Sequence, residues 1–132
     1  VTCVDSNVLL DIIQADPAWL GWSKAQLAAS LGRGPLVAND VVFAEISVGF
    51  GAVQEVEAFL AVAGITVERT PPEALFLAAR AHLDYRRRGG ARSGVLPDFS
   101  IGAHAAVVGL PLITRDPRRY RSYFPALRLI CP

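Results

Sequence analysis

Four acidic residues are spread along the 132-residue chain, each beside a separate apolar segment: Asp5, Glu45, Asp98 and Asp116. Carboxylates brought together raise one another's pKa, so such a cluster is unfavourable until a cation sits among them. Hard divalent ions such as Mg²⁺ or Mn²⁺ take oxygen ligands and keep several waters, which suits a site with no cysteine or histidine ligand in reach. An ion held there activates water, polarises a phosphoryl oxygen and stabilises the leaving oxyanion, the chemistry of phosphodiester hydrolysis. The spacing does not distinguish one ion from two.

Each acid also has an ordinary explanation. Asp5 and Asp98 could cap helices, Asp116 before Pro117 could begin a turn, and Glu45 could form a salt bridge. Glu45 is the hardest to set aside, because a charge inside the apolar run Val41 to Phe50 is costly unless it is paired or metal-bound. His82 in an amphipathic helix and His104 in an Ala-rich one read as surface or core histidines. No Ser-His-Asp arrangement is suggested, and Asp5-Ser6-Asn7 lacks the second aspartate that a phosphatase of the Asp-x-Asp kind uses as its acid.

The elements that must position these acids alternate between apolar β-type runs and longer helical stretches. Strands are expected at Val1 to Val4, Pro35 to Ala38, Ile65 to Glu68, Leu112 to Thr114 and Leu127 to Cys131. An apolar helical turn covers Val8 to Ile13. Asp16 and Pro17 should open a helix running to Leu31, and Asp40 should cap one over Val41 to Phe50, with a more polar helix continuing to Gly64. Thr70 to Glu73 has capping-box spacing and should start a helix that ends at Gly89 and Gly90 after an arginine run. Pro97 and Asp98 open the last long helix. Four or five strands separated by helices imply an α/β fold, a mainly parallel sheet covered on both faces, in one domain over residues 1–132. In such a sheet sites form beyond the carboxyl ends of the strands, where Asp5 and Asp116 fall and where Asp98 and Glu45 can reach.

Composition bounds the alternatives. Net charge is +1, so no overall basic field holds the protein on nucleic acid, but twelve of the thirteen basic residues are arginine. Many fall in two clusters, Arg86 to Arg88 with Arg92, and Arg115, Arg118, Arg119 and Arg121. Arginine grips phosphate bidentately, and Arg115, beside Asp116, is the candidate substrate contact; the first cluster reads equally well as a helix C-terminus favouring positive charge. The longest uncharged run, Phe99 to Thr114, is too short to span a membrane and is broken by Gly109 and Pro111. With no basic-then-apolar leader before the first strand, a soluble, cytoplasmic protein is expected, its true N-terminus left open by Val1.

At the acids the chain resembles a known family. Val4-Asp5-Ser6-Asn7-Val8-Leu9-Leu10-Asp11 resembles the opening of PIN domains, Phe43-Ala44-Glu45-Ile46 their second motif, Leu96-Pro97-Asp98-Phe99-Ser100-Ile101-Gly102-Ala103-His104-Ala105 the third and Leu112-Ile113-Thr114-Arg115-Asp116 the fourth. Four motifs in order cover essentially the whole chain. Tyr85-Arg86-Arg87-Arg88-Gly89-Gly90 and the ending from Tyr123 to Ile130 are similar to VapC-type toxins of bacterial toxin–antitoxin pairs. The resemblance implies a PIN-like three-layer fold and Mg²⁺- or Mn²⁺-dependent endoribonuclease activity. It implies an acidic site of Asp5, Glu45, Asp98 and Asp116, with Asp5, Asp98 and Asp116 as metal ligands and Asn7 and Thr114 supporting them by hydrogen bonds. It further implies a homodimer and neutralisation by a VapB-type antitoxin.

Several readings compete. A non-catalytic PIN-like module could bind RNA or a protein without cutting, a phosphatase could use Asp5 as nucleophile, and a DNA nuclease is close in chemistry. Trp19 and Trp22, three apart, could share a helix face that docks the antitoxin, or simply pack into the core. Cys3 and Cys131 lie in the first and last strands; with another strand between them they stand ~9–10 Å apart, beyond the reach of a disulfide, and both should be free.

Overall fold

The computed structural model describes residues 1–132. Five short strands form one sheet: β1 (Thr2–Val4), β2 (Leu36–Asn39), β3 (Ile65–Glu68), β4 (Leu112–Ile113) and β5 (Leu129–Ile130). Their order is β3-β2-β1-β4-β5 and every pairing is parallel. Parallel neighbours require crossovers, which seven helices supply: α1 (Ser6–Ile13), α2 (Leu20–Leu31), α3 (Asp40–Ile46), α4 (Val53–Val62), α5 (Pro72–Arg87), α6 (Leu96–Val108) and α7 (Arg118–Tyr123). The result is the three-layer α/β arrangement expected, with the strands β1, β2 and β4 buried.

Strand order explains where a crevice must open. From β1 the chain moves outward through β2 to β3, then returns to the other side of β1 for β4 and β5. The connections diverge at the carboxyl ends of β1 and β4, the switch point at which open α/β sheets place their sites. Registers Cys3 to Leu112 and Val4 to Ile113 align those two strand ends, so Asp5 and Thr114 emerge side by side.

The core runs between the sheet and the helices, with Val4, Leu36, Leu112 and Ile113 from the strands meeting Val8, Leu9, Val42, Ile46 and Phe99. Phe99 is fully buried amid the rings of His82, Tyr85, Tyr123 and Phe124, and so ties α5, α6 and α7 together. Gly102 on α6 lets α7 approach closely: a Cβ there would stand 2.8 Å from the Phe124 and Tyr120 rings.

Several local expectations give way to longer-range contacts. Asn39, not Asp40, caps α3, its side chain accepting from Val42 N at 2.9 Å. Asp40 instead accepts from the Thr70 hydroxyl and backbone amide, which removes Thr70 from the expected capping box and leaves Pro71 as the cap of α5. The α3 helix stops at Ile46 and tightens into a 3₁₀ turn over Ser47–Gly49. Asp16 accepts from Ala18 N and Trp19 N, so Pro17 to Trp19 form a turn and α2 begins only at Leu20. The α7 helix is an addition to the expected elements; Asp116-Pro117, read as a turn, leads directly into it. The last strand is shorter than expected and ends before Cys131; Cys3 in β1 and Cys131, just past β5, are free, with β4 between those two strands.

Candidate active site

Asp5 leaves β1 and its backbone amide donates to Ile113 O at 2.9 Å, which fixes it against the end of β4. It occupies the cap position of α1, yet its carboxylate makes no cap bond. That residue is 3% exposed. Its Oδ2 accepts from the Thr114 hydroxyl at 2.8 Å and from the Tyr120 hydroxyl at 2.9 Å. Thr114 Oγ1 in turn accepts from Asn7 Nδ2 at 3.3 Å and from Asp116 N at 3.1 Å, so one hydroxyl spends its single proton on Asp5 and both lone pairs on its neighbours. Asn7 Oδ1 accepts from Arg115 N at 3.4 Å. Asn7 and Thr114 therefore sit between Asp5 and Asp116.

The Asp98 side chain belongs to the first turn of α6, whose cap position is taken by Val95. Its Oδ2 accepts from Arg119 Nη1 at 2.5 Å. Asp5, Asn7, Asp98, Asp116, Arg119 and Tyr120 line one polar cavity of about 70 Å³. Glu45 is not part of that lining. It reaches the cluster through Ser6, whose Oγ donates to Glu45 Oε1 at 2.8 Å and lies 3.4 Å from Asp5 Oδ1.

Electrostatics record this crowding. Burial pushes the Asp5 carboxyl up to about 6, with Thr114 and Tyr120 acting in the opposite sense and the charges of Asp98 and Glu45 adding to the rise. Glu45 and Asp98 are also raised, each chiefly by burial; Ser6 opposes the shift at Glu45 and Arg119 opposes it at Asp98. An acid-rich cavity with one buried carboxylate in its wall favours a bound cation. No three carboxylate, histidine or cysteine side chains are grouped closely enough to chelate an ion directly. A hydrated hard ion needs only one or two carboxylates plus waters, and the oxygen-only donor set fits such an ion and not a soft one.

The remaining candidates lie elsewhere. Arg115 directs its Nε to the buried Asp11 at 2.8 Å, while Ser23 also donates to Asp11 at 2.8 Å. The guanidinium lies over the Trp19 ring, 5.6 Å from its centroid. Trp22 packs against the core, and the two tryptophans meet edge to face at 6.1 Å. His104 is buried beside Cys3, Val37 and Asn39, its pKa lowered by that burial, and His82 lies against Phe99; neither lines the acidic cavity. Sequence reasoning missed Ser6, Arg119 and Tyr120 as site residues. Ser6 follows Asp5 directly, and the other two ride on α7, which the Asp116-Pro117 pair could have signalled as a helix start.

Comparison with known proteins identifies the fold and the family. The family model described as the PIN domain matches residues 2–124. The fold is similar to a VapBC2 structure from Rickettsia felis bound to a DNA fragment from their promoter, with TM-score 0.74, 15% identity, and coverage of 99% of this chain and 98% of that one. It is also similar to DNA-bound VapBC from Salmonella typhimurium, with TM-score 0.70, 17% identity, and coverage of 98% and 96%. VapBC-1 from nontypeable Haemophilus influenzae gives TM-score 0.71 at 14% identity, covering 98% and 96%. No curated protein matches the chain in sequence.

Proposed function

The chain belongs to the PIN-domain family, and from that premise we propose that residues 1–132 are a single domain acting as a metal-dependent endoribonuclease, the toxin of a toxin–antitoxin pair. PIN domains are in general nucleases that use divalent metals; to this the proposal adds RNA as substrate, Mg²⁺ or Mn²⁺ as the ion, and these residues as the site. The observation that carries the reading is the cavity at the β1/β4 switch point. It gathers Asp5, Asp98 and Asp116, and neither Asp5 nor Asp98 is spent on the helix cap that would have explained it.

Asp5, Asp98 and Asp116 would hold a hydrated ion, one or two of them directly and the rest through its waters, with Glu45 alongside. Bound there, a divalent cation supplies an activated water and charge neutralisation at the phosphoryl oxygens. The chain's own residues prepare that site. Thr114 and Tyr120 both donate to Asp5 Oδ2, which orients the carboxylate and leaves Oδ1 with acceptor capacity toward Ser6 and the cavity. Asn7 holds Thr114 in that role. Ser6 fixes Glu45, and Arg119 offsets the charge of Asp98.

The antitoxin assignment rests on the family resemblance and on the toxin–antitoxin complexes that share the fold. An apolar groove of about 300 Å³ between α1, α2 and α4, formed by Ile12, Leu27, Leu31, Phe59 and Val62, suits the apolar face of an antitoxin segment. Val62, at its edge, is 90% exposed. An antitoxin arginine reaching the acids would pair with them and oppose metal entry. The toxin is read as a cytoplasmic homodimer, and no helix is long and apolar enough to cross a membrane.

The test is cleavage-site mapping on total RNA with wild type beside Asp5→Asn, in Mg²⁺ and in chelator, with and without the small protein encoded next to it. Metal-dependent cuts that vanish in the variant and in the complex support the reading. RNA binding without cutting would make the chain a non-catalytic PIN-like module, and cutting that a copurified neighbour leaves unchanged would remove the toxin assignment while sparing the nuclease.

A further inference from the structure

A second polar cavity, of about 450 Å³, shares Asp116 and Arg119 with the acidic one and is otherwise walled by Arg92, Arg118, Tyr85 and Tyr123 together with Ser122. It lies between the loop that follows α5 and the short helix α7. Arg92 and Arg118 are exposed, and neither forms a salt bridge to any carboxylate. The Arg92 loop is nonetheless held in place: its backbone amide donates to the Tyr85 hydroxyl at 3.2 Å. Gly90 permits this arrangement, since a Cβ there would stand 2.5 Å from the Tyr85 ring. Arg92 is near enough to the acids that its charge acts on Asp98.

The two cavities have opposite chemistry. A polyanionic strand brought to Asp5, Asp98 and Asp116 meets repulsion on both sides of the bond to be cut, and needs cationic grips beside the site. Three arginines against the single carboxylate Asp116 supply them, in a space within the range that holds small ligands. Guanidinium forks match phosphate geometry, and a cationic groove with aromatic walls is how proteins track single-stranded nucleic acid.

We propose that this cleft seats the nucleotide next to the scissile phosphodiester of a single-stranded RNA, with Arg92 and Arg118 gripping its phosphates. The assignment rests on the nuclease reading above. Arg119 belongs to both cavities: its Nη1 is on Asp98, and its guanidinium carbon is 5.8 Å from the Tyr85 ring centroid. It is the positioning residue at the junction, holding the acid on one side and bounding the strand's path on the other.

The experiment measures binding apart from cutting. A short labelled single-stranded RNA is titrated by fluorescence anisotropy with Asp5→Asn protein, then with the same protein carrying Arg92→Ala and Arg118→Ala, over a range of salt. Affinity at low salt should fall roughly tenfold, and the salt slope should become shallower by about 0.7 for each phosphate that is no longer neutralised. Arg33→Ala should change neither, because Arg33 lies just before β2, at the opposite end of the strands. The duplex of the same sequence should bind more weakly than the single strand. Unchanged affinity and slope in the double variant would overturn the cleft assignment, and equal binding of duplex would overturn the single-strand claim. Metal-dependent cutting by wild type, assayed in parallel, shows whether the nuclease reading survives such a failure; wild type that neither binds nor cuts would remove both.

Discussion

Replacing Asp5 by asparagine should make the metal-free protein more stable at neutral pH, although it removes a residue of the site. The carboxyl is pushed from 3.8 in the unfolded chain to about 6 in the fold, chiefly by burial. That difference corresponds to roughly 3 kcal/mol by which folding disfavours the ionised form. Because the folded pKa is the higher one, the stability gained by protonation is complete below about pH 4 and is lost as pH rises through about 6. The introduced asparagine carries no charge at any pH, so the variant avoids the loss. Its amide oxygen can still accept from Thr114 and Tyr120, but the new amino group needs an acceptor in place of a lone pair, a cost of about 1–2 kcal/mol that reduces the net gain to about 1–2 kcal/mol. For a chain of this length that is a rise in Tm of roughly 4–7 °C. Thermal unfolding in chelator should show the variant ahead at neutral pH and level with wild type near pH 4, while added Mg²⁺ should stabilise wild type alone. A variant that is equal or weaker at neutral pH would refute the argument that Asp5 is held ionised at a cost that a cation relieves.

Other consequences are independent of that test. Arg115→Ala leaves Asp11, 1% exposed, with Ser23 alone as partner, and should destabilise by about 2–4 kcal/mol in urea unfolding; a loss below about 0.5 kcal/mol would show that the pair is not structural. Gly102→Ala drives a methyl group into the Tyr120 and Phe124 rings, so it should cost about 1–3 kcal/mol and disturb the Tyr120 bond to Asp5, read as lower nuclease activity in protein that is still folded. Alkylation without reductant should label Cys131 and spare Cys3, whose thiol is buried and pushed up to about 12; a mass corresponding to a disulfide would contradict the strand order.

What could be read in the sequence followed the physics of each signal. Apolar β-type runs between helix-length segments located all five strands, because buried parallel strands are short apolar stretches. The four acids stood out by motif order and by the oddity of Glu45 in an apolar run. What could not be read was partner choice over long separations. Asp40 pairs with Thr70 and Asp11 with Arg115, and in each case a tertiary contact takes a side chain that local rules assign to a cap or to the surface. Tyr120 and Arg119 gain their places from α7, a helix of only six residues that is too short to leave a periodic pattern. Of the two readings offered for the tryptophans, core packing describes Trp22, while Trp19 stacks with Arg115, a partner 96 residues away that no local pattern signals.

The central claim is that Asp5, Asp98 and Asp116 form one metal-dependent site that cuts RNA. Its most direct test is the rate at which purified wild type and Asp98→Asn protein cleave a defined single-stranded RNA as Mg²⁺ is titrated against chelator. Asp98 lies in the first turn of α6 and is bonded only to the side chain of Arg119, so the variant should fold as wild type does. The account predicts cleavage that requires the ion and falls by more than about a hundredfold in the variant. Cleavage that persists in chelator, or that survives near wild-type rate in Asp98→Asn at ordinary Mg²⁺, would contradict it.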